Sequence, residues 1–187
     1  MSQVSHLKSA QITALDTVTP SLADVQNAGA GAPSRCVTIT GYVTPVAADS
    51  VNTTYQFVRV PSTAIIKYVG VSSQAQAAGA IDIGVYYSDS TIDGTAAANQ
   101  GLVVPTTGKT FFASQQSLAT ALNQTDVTFS NQATSGANNP SLINTRLWQA
   151  LGLATDPGGF FDIVGTVDNT AITTGGGFTG LQVDYAE

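Results

Sequence analysis

The sequence predicts an all-β protein, an antiparallel β-sandwich or jelly-roll with one short helix and an extended N-terminal arm. Three observations lead there. From Cys36 onward apolar residues recur with a period of two, turn residues punctuate the chain at short intervals, and only one segment combines helical spacing with start and stop residues. Many short strands with a single helix in a connection fit a two-sheet architecture. No internal repeat is evident.

Residues 1–35 read as the arm and residues 36–187 as the sandwich domain. The arm has poorly spaced apolar positions, Pro20 interrupts the helical stretch 14–26, and a Gly/Ala run closes it at Asn27–Pro33. Fully extended, such an arm reaches on the order of 115 Å, enough to touch a neighbouring subunit.

In the first strand, Val37, Ile39, Gly41 and Val43 share one face and Thr38, Thr40 and Tyr42 the other. Cys36, beside it, reads as a small buried hydrophobe. A turn-rich stretch leads to a strand over 54–60, with Tyr55, Phe57 and Arg59 alternating with Gln56, Val58 and Val60. Pro61 ends it by withdrawing a ladder donor. Strands follow over 64–72 and 80–87, the latter with Ile81, Ile83, Val85 and Tyr87 on one face. Residues 88–100 read as a loop. Short strands are expected over 101–104, 109–113 and 126–130, and a helical turn over 115–122. The helix runs from Asn139 as N-cap through Pro140, Ile143, Leu147, Ala150 and Leu151 to Gly152 as stop. After the turn Asp156-Pro157-Gly158-Gly159, strands over 160–167 and 179–185 flank the loop Gly175-Gly176-Gly177.

Composition narrows function. Hydrophobic residues make up 43% of the 187 positions and charged ones only 10%, so an ordinary core is wrapped in a nearly uncharged surface. Net charge is −6 and the six bases are scattered, which speaks against nucleic acid as partner, since phosphate binding needs clustered Lys and Arg. No apolar run approaches the ~20 residues of a membrane span. MSQVSHLKSA has no apolar h-region, so synthesis in the cytoplasm is expected. A neutral polar surface is cheap to desolvate, and interface cores are depleted in charge, so broad protein contact is expected.

Catalytic chemistry has thin support, and the expectation is a protein without catalytic, cofactor-binding or metal-binding residues. His6, the lone histidine, sits in the arm with nothing evident to orient it for a triad. Two sets of acids, Asp82, Asp89 and Asp93, and Asp156, Asp162 and Asp168, contain the carboxyl types of a glycosidase pair. Their positions in turns and on strand faces favour backbone capping instead. Residues 89–94 do not follow the EF-hand order. Gly101 to Lys109 ends like a phosphate-binding loop, but six residues separate its glycines and Pro105 removes a donor. Asn52-Thr53-Thr54 and Asn123-Gln124-Thr125 match the glycosylation sequon with no signal peptide to use it. Trp148, beside Leu147 and Leu151, reads as core rather than interface anchor.

Two stretches, Thr54-Tyr-Gln-Phe-Val-Arg-Val-Pro-Ser62 through Ile81-Asp-Ile-Gly-Val-Tyr86, and Leu147-Trp-Gln-Ala-Leu-Gly-Leu-Ala-Thr-Asp-Pro157 through Phe161-Asp-Ile-Val-Gly-Thr166, resemble virion proteins of tailed bacteriophages, and within these the head decoration or cement proteins. The resemblance implies a non-enzymatic structural protein of the capsid surface. Its partners would be the major capsid protein and further copies of itself, as dimer or trimer. The alternative is a tail, baseplate or fibre component whose sandwich binds host glycans, with exposed aromatics such as Tyr42, Tyr55, Tyr86 or Tyr87. A hydrolase using an Asp pair ranks third.

Overall fold

The computed structural model describes residues 6–9, 12–13, 16, 36–88, 101–105, 108–132 and 139–187. Apart from Asp16, the helical stretch 14–26 lies outside the described residues, as do the Gly/Ala run and the 88–100 loop beyond Ser88.

Among the described residues nine strands form two facing sheets: β1 (His6–Lys8), β2 (Cys36–Val43), β3 (Thr54–Pro61), β4 (Ile65–Ser73), β5 (Ala80–Tyr87), β6 (Ala113–Ser117), β7 (Leu122–Asp126), β8 (Phe160–Val167) and β9 (Thr179–Ala186). One sheet has the order β1-β3-β8-β5-β6 and the other β2-β9-β4-β7. The β1–β3 ladder is parallel and the remaining ladders are antiparallel. Alternation decides which residues meet between the sheets. Ile39 and Val43 of β2, Val69 and Val71 of β4, and Leu181, Val183 and Tyr185 of β9 form one core with Tyr55, Val58 and Val60 of β3, Ile81, Ile83 and Val85 of β5, and Phe161, Ile163 and Val167 of β8. The all-β sandwich is as the sequence predicts.

The strict alternation expected for β3 fails at one place. A bulge between Gln56 and Val58 inserts an extra residue, so Phe57 and Val58 are both fully buried and Arg59 moves to the face shared with Gln56. That outer face of the five-stranded sheet is closed as well: Gln56, Arg59, Asp82, Gly84, Asp162, Val164 and Thr166 are buried. Two covers close it. Asp16 binds Arg59, the Asp16 N–H donating to the carbonyl of fully buried Ile12, and the 3-10 turn Gly108–Thr110 lies over Gly84, where any Cβ would overlap the Gly108 and Lys109 carbonyls.

Between 101 and 152 the structure corrects several expectations. Residues 101–104 make a single bridge, Val103 to Tyr86, instead of a strand. Residues 109–112 are not a strand either: Gly108–Thr110 form a 3-10 turn, and β6 begins only at Ala113. The turn brings both against Phe129, with ring centroids 5.1 to 5.6 Å apart. In place of a helical turn over 115–122 stand β6 and β7, joined through buried Leu118. The left-handed Gln115 is incompatible with a helix there, and the edges of β5 and β4 claim the two segments as ladder partners. The strand expected over 126–130 ends at Asp126, since Val127, Thr128 and Phe129 all turn inward.

The helix is shorter than its punctuation implies. Asn139 caps only a 3-10 turn, Pro140–Leu142, accepting from the Ser141 N–H at 3.1 Å. The α-helix α1 covers Leu147–Ala150. Its first N–H groups donate to the β3–β4 turn, Leu147 to Ala64 O and Trp148 to Ser62 O, while Lys67 Nζ takes the Ile143 carbonyl. Tertiary partners thus replace the intrahelical ones. Gly152, at φ +74°, stops the helix as expected.

Candidate functional site

The outer face of the four-stranded sheet stays open to solvent. Period-two alternation turns Cys36, Thr38, Thr40 and Tyr42 outward along β2, and Cys36 is therefore exposed, not buried as its apolar surroundings implied. Beside them lie Gln182 and Asp184 of β9, Tyr68 and Ser72 of β4, and Gln124 of β7. Neutral hydrogen bonds knit the face together. Tyr68 Oη donates to Gln124 O at 2.9 Å, Gln124 Nε2 to Gln182 Oε1 at 3.2 Å, and the Gln124 N–H to Ser72 Oγ at 3.1 Å.

A groove of about 380 Å³ crosses this face, lined among others by Thr40, Tyr42, Ser72, Gln124, Phe178 and Gln182. Its floor dips at Gly180, where a Cβ would press on the Gly41 carbonyl at 2.8 Å. Tyr42 is 65% exposed and Phe178 42% exposed, so two aromatic side chains stand at the groove with their surfaces uncovered. The groove combines aromatic surface with uncharged donors and acceptors. Chemically it suits contact with a neutral polar surface rather than proton transfer.

The candidate acids are engaged elsewhere. Asp162 holds Arg59 in a bidentate pair, Oδ1 to Nε at 2.6 Å and Oδ2 to Nη2 at 2.9 Å, and Arg59 Nη1 reaches Asp16 Oδ1 at 2.6 Å. Lys8 Nζ completes this chain of charges on Asp16 at 2.6 Å. Burial disfavours the charged form of Arg59, but Asp162 and then Asp16 outweigh it and hold the guanidinium protonated, above its ordinary value. Asp82 accepts the Gln115 N–H at 2.9 Å and meets Lys109 Nζ at 3.2 Å; Asp168 meets the same ammonium at 3.1 Å. Burial opposes the Lys109 charge, yet hydrogen bonds to Asp168 and Asp82 raise its pKa. Asp156 caps its turn through the Gly158 N–H and accepts from Ser62 Oγ.

The remaining sequence candidates fall as follows. Asp89 and Asp93 lie outside the described residues. His6 contributes backbone to β1, opposite Thr54. The Lys109 of the phosphate-loop-like stretch is the base between Asp82 and Asp168. Asn52 and Asn123 are exposed, in a turn and on β7. Trp148 is half-buried against the core, with its Nε1 enclosed. Of the four tyrosines singled out as aromatics, Tyr42 alone is exposed; Tyr55 is fully buried and Tyr86 and Tyr87 are half-buried. Phe178 was not among the sequence candidates: it falls between the Gly175-Gly176-Gly177 loop and the strand expected from Thr179, and its exposure depends on the sheet order. Among the described residues, no three His, Cys, Asp or Glu side chains gather as a metal site, and no helix is long and apolar enough to cross a membrane.

No family model matches the chain, and no curated protein sequence matches it. Among solved structures, a chain of the Cyanophage Pam1 capsid asymmetric unit is similar at 17% identity and a TM-score of 0.45, over 83% of this chain and 86% of that one. A likeness of that degree assigns neither family nor function.

Proposed function

We propose that this chain is a non-enzymatic virion structural protein that binds and stabilises an assembled phage capsid from its outer surface, as a decoration or cement protein. The observation that carries the reading is the open groove on the outer face of the four-stranded sheet, lined by uncharged residues with Tyr42 and Phe178 exposed at it and the face's acids, Asp126 and Asp184, outside its lining. Interface cores are poor in charge and rich in aromatic anchors, and the groove has that composition. Among the described residues, the central strands of the opposite sheet, β3, β8 and β5, are buried on both faces. Two further points support the reading. The phrases at 54–86 and 147–166 resemble phage virion proteins. We read β2–β9 as a jelly roll, its strands sorted β2-β9-β4-β7 and β3-β8-β5-β6, an architecture used by viral capsid and lectin domains among others. The major capsid protein is the proposed partner.

The test is co-sedimentation of the purified protein with shells assembled from the major capsid protein encoded in the same genome. Saturable binding that Tyr42→Ser weakens is expected; no binding to intact shells overturns the proposal. A second reading, a tail or fibre component that binds host glycans, is favoured by one observation: Tyr42 stands beside Thr40, Gln124 and Gln182, a mixture of ring and amide suited to a sugar face. Glycan-array binding by the isolated protein, together with no binding to shells, would select it.

A further inference from the structure

The N-terminal segment occupies a seat assembled by a short stretch of β3 and one residue of β8. β1 adds to the edge of β3 in parallel, His6 to Lys8 opposite Thr54 to Gln56. The Ser9 N–H donates to Gln56 O at 2.7 Å, and Ser9 Oγ donates to the Phe57 carbonyl at the bulge. Ile12 is fully buried, and Asp16 binds Arg59, which Asp162 holds from the other side. Strand edge, bulge, apolar cover and buried cation all match this one segment.

The chain between seat and sandwich is long for its errand. Cys36 opens β2 in the other sheet, and β2 lies against β3 closely enough that a Cβ at Gly41 would overlap the Phe57 carbonyl. Stacked sheets lie ~10 Å apart, whereas residues 17–35 span roughly 60 Å when extended. Removing β1 also leaves β2–β9 with all of their mutual ladders. A segment that is peripheral to the sheets, complementary to its seat and held on a surplus of chain makes the same contacts on its own copy or on another, which is the condition for exchange between identical protomers.

We propose that the segment bearing Leu7, Ser9, Ile12 and Asp16 is exchanged between copies of this chain, each copy seating it on β3 of a neighbour and linking the protomers through the Asp16–Arg59 pair. The proposal holds whatever surface the sheets bind.

Two single variants in a Cys36→Ser background test it, Lys8→Cys on β1 and Gln56→Cys opposite it on β3. Mixed, co-refolded and oxidised, they give a covalent dimer containing one of each chain if the segment is exchanged. If the Lys8→Cys/Gln56→Cys double variant closes only within one chain and the mixed singles give no dimer, exchange is overturned. Should the variants not fold, light scattering on the unsubstituted protein decides: exchange requires an oligomer that falls to monomer when residues 2–16 are deleted. A monomer at all concentrations, or an oligomer indifferent to the deletion, overturns it.

Discussion

Replacing Asp162 by alanine takes the bidentate carboxylate from a guanidinium whose side chain is 3% exposed, while Asp162 itself is 1% exposed. Breaking one side of a buried ion pair costs about 3–5 kcal/mol, because the remaining charge keeps its desolvation penalty. Arg59 keeps Asp16 on Nη1, so part of its compensation survives and the lower end, about 3 kcal/mol, is expected. Domains of this kind are stable by about 5–15 kcal/mol, so a fifth or more of the total is at risk. With m about 2 kcal/mol/M, the urea midpoint should fall by roughly 1.5 M. The partnered replacement Arg59→Met with Asp162→Leu removes both charges, and should cost much less than the single Asp162→Ala. Equilibrium urea unfolding followed by far-UV circular dichroism, run as a double-mutant cycle, measures both numbers. The reasoning fails if Asp162→Ala costs less than about 1 kcal/mol, or if the double variant loses as much as the two single losses added together.

The other predictions concern separate features. Gly84→Ala should destabilise by about 2 kcal/mol or more in the same urea assay, since the turn over it must shift to admit a methyl group. Burial, and then Glu187, pushes the Tyr185 phenol up to about 12, and burial followed by Asp49 raises Tyr55 also. Both groups bind their proton more tightly folded than unfolded. Stability should therefore be full below about pH 10 and fall as pH rises toward 12, by up to ~1.4 kcal/mol per pH unit for each tyrosine. Urea midpoints across that range check the slope, and Tyr185→Phe should flatten it. Cys36 should react with a thiol reagent in the native protein without waiting for unfolding; protection equal to that of core amides would contradict its exposure. Tyr42→Ser should leave the melting temperature within about 1 °C and reduce shell affinity on the order of tenfold.

Periodicity made several of the long strands legible. Cys36–Val43, Ala80–Tyr87, Phe160–Val167 and Thr179–Ala186 form where alternation is clean and turn residues flank them. Reading failed where a local signal competed with a distant partner. Asn139 and Pro140 announce a helix, but the β3–β4 turn and Lys67 take the groups that would have extended it. Phe111 and Phe112 look like a strand, but both pack on Phe129 in the stretch between the 3-10 turn and β6. Of the candidate surface, Thr38, Thr40 and Tyr42 were readable from alternation in β2. Phe178, Gln124 and Gln182 were not, because they come from three separate stretches that only the sheet order brings to one groove. Cys36 illustrates the priority of rules: its register with Thr38 and Thr40 outweighs its preference for burial.

Three of the six bases, Lys8, Arg59 and Lys109, are paired with acids of their own chain. Those charges fasten the covers over the five-stranded sheet and contribute little field beyond the molecule. The net charge of −6 is therefore carried by acids outside these pairs, and the long-range field of the chain is negative. Association with an acidic partner should quicken as salt rises, and association with a basic one should slow. A protein built this way commits half its bases to its own architecture and meets a partner first through the acids left over.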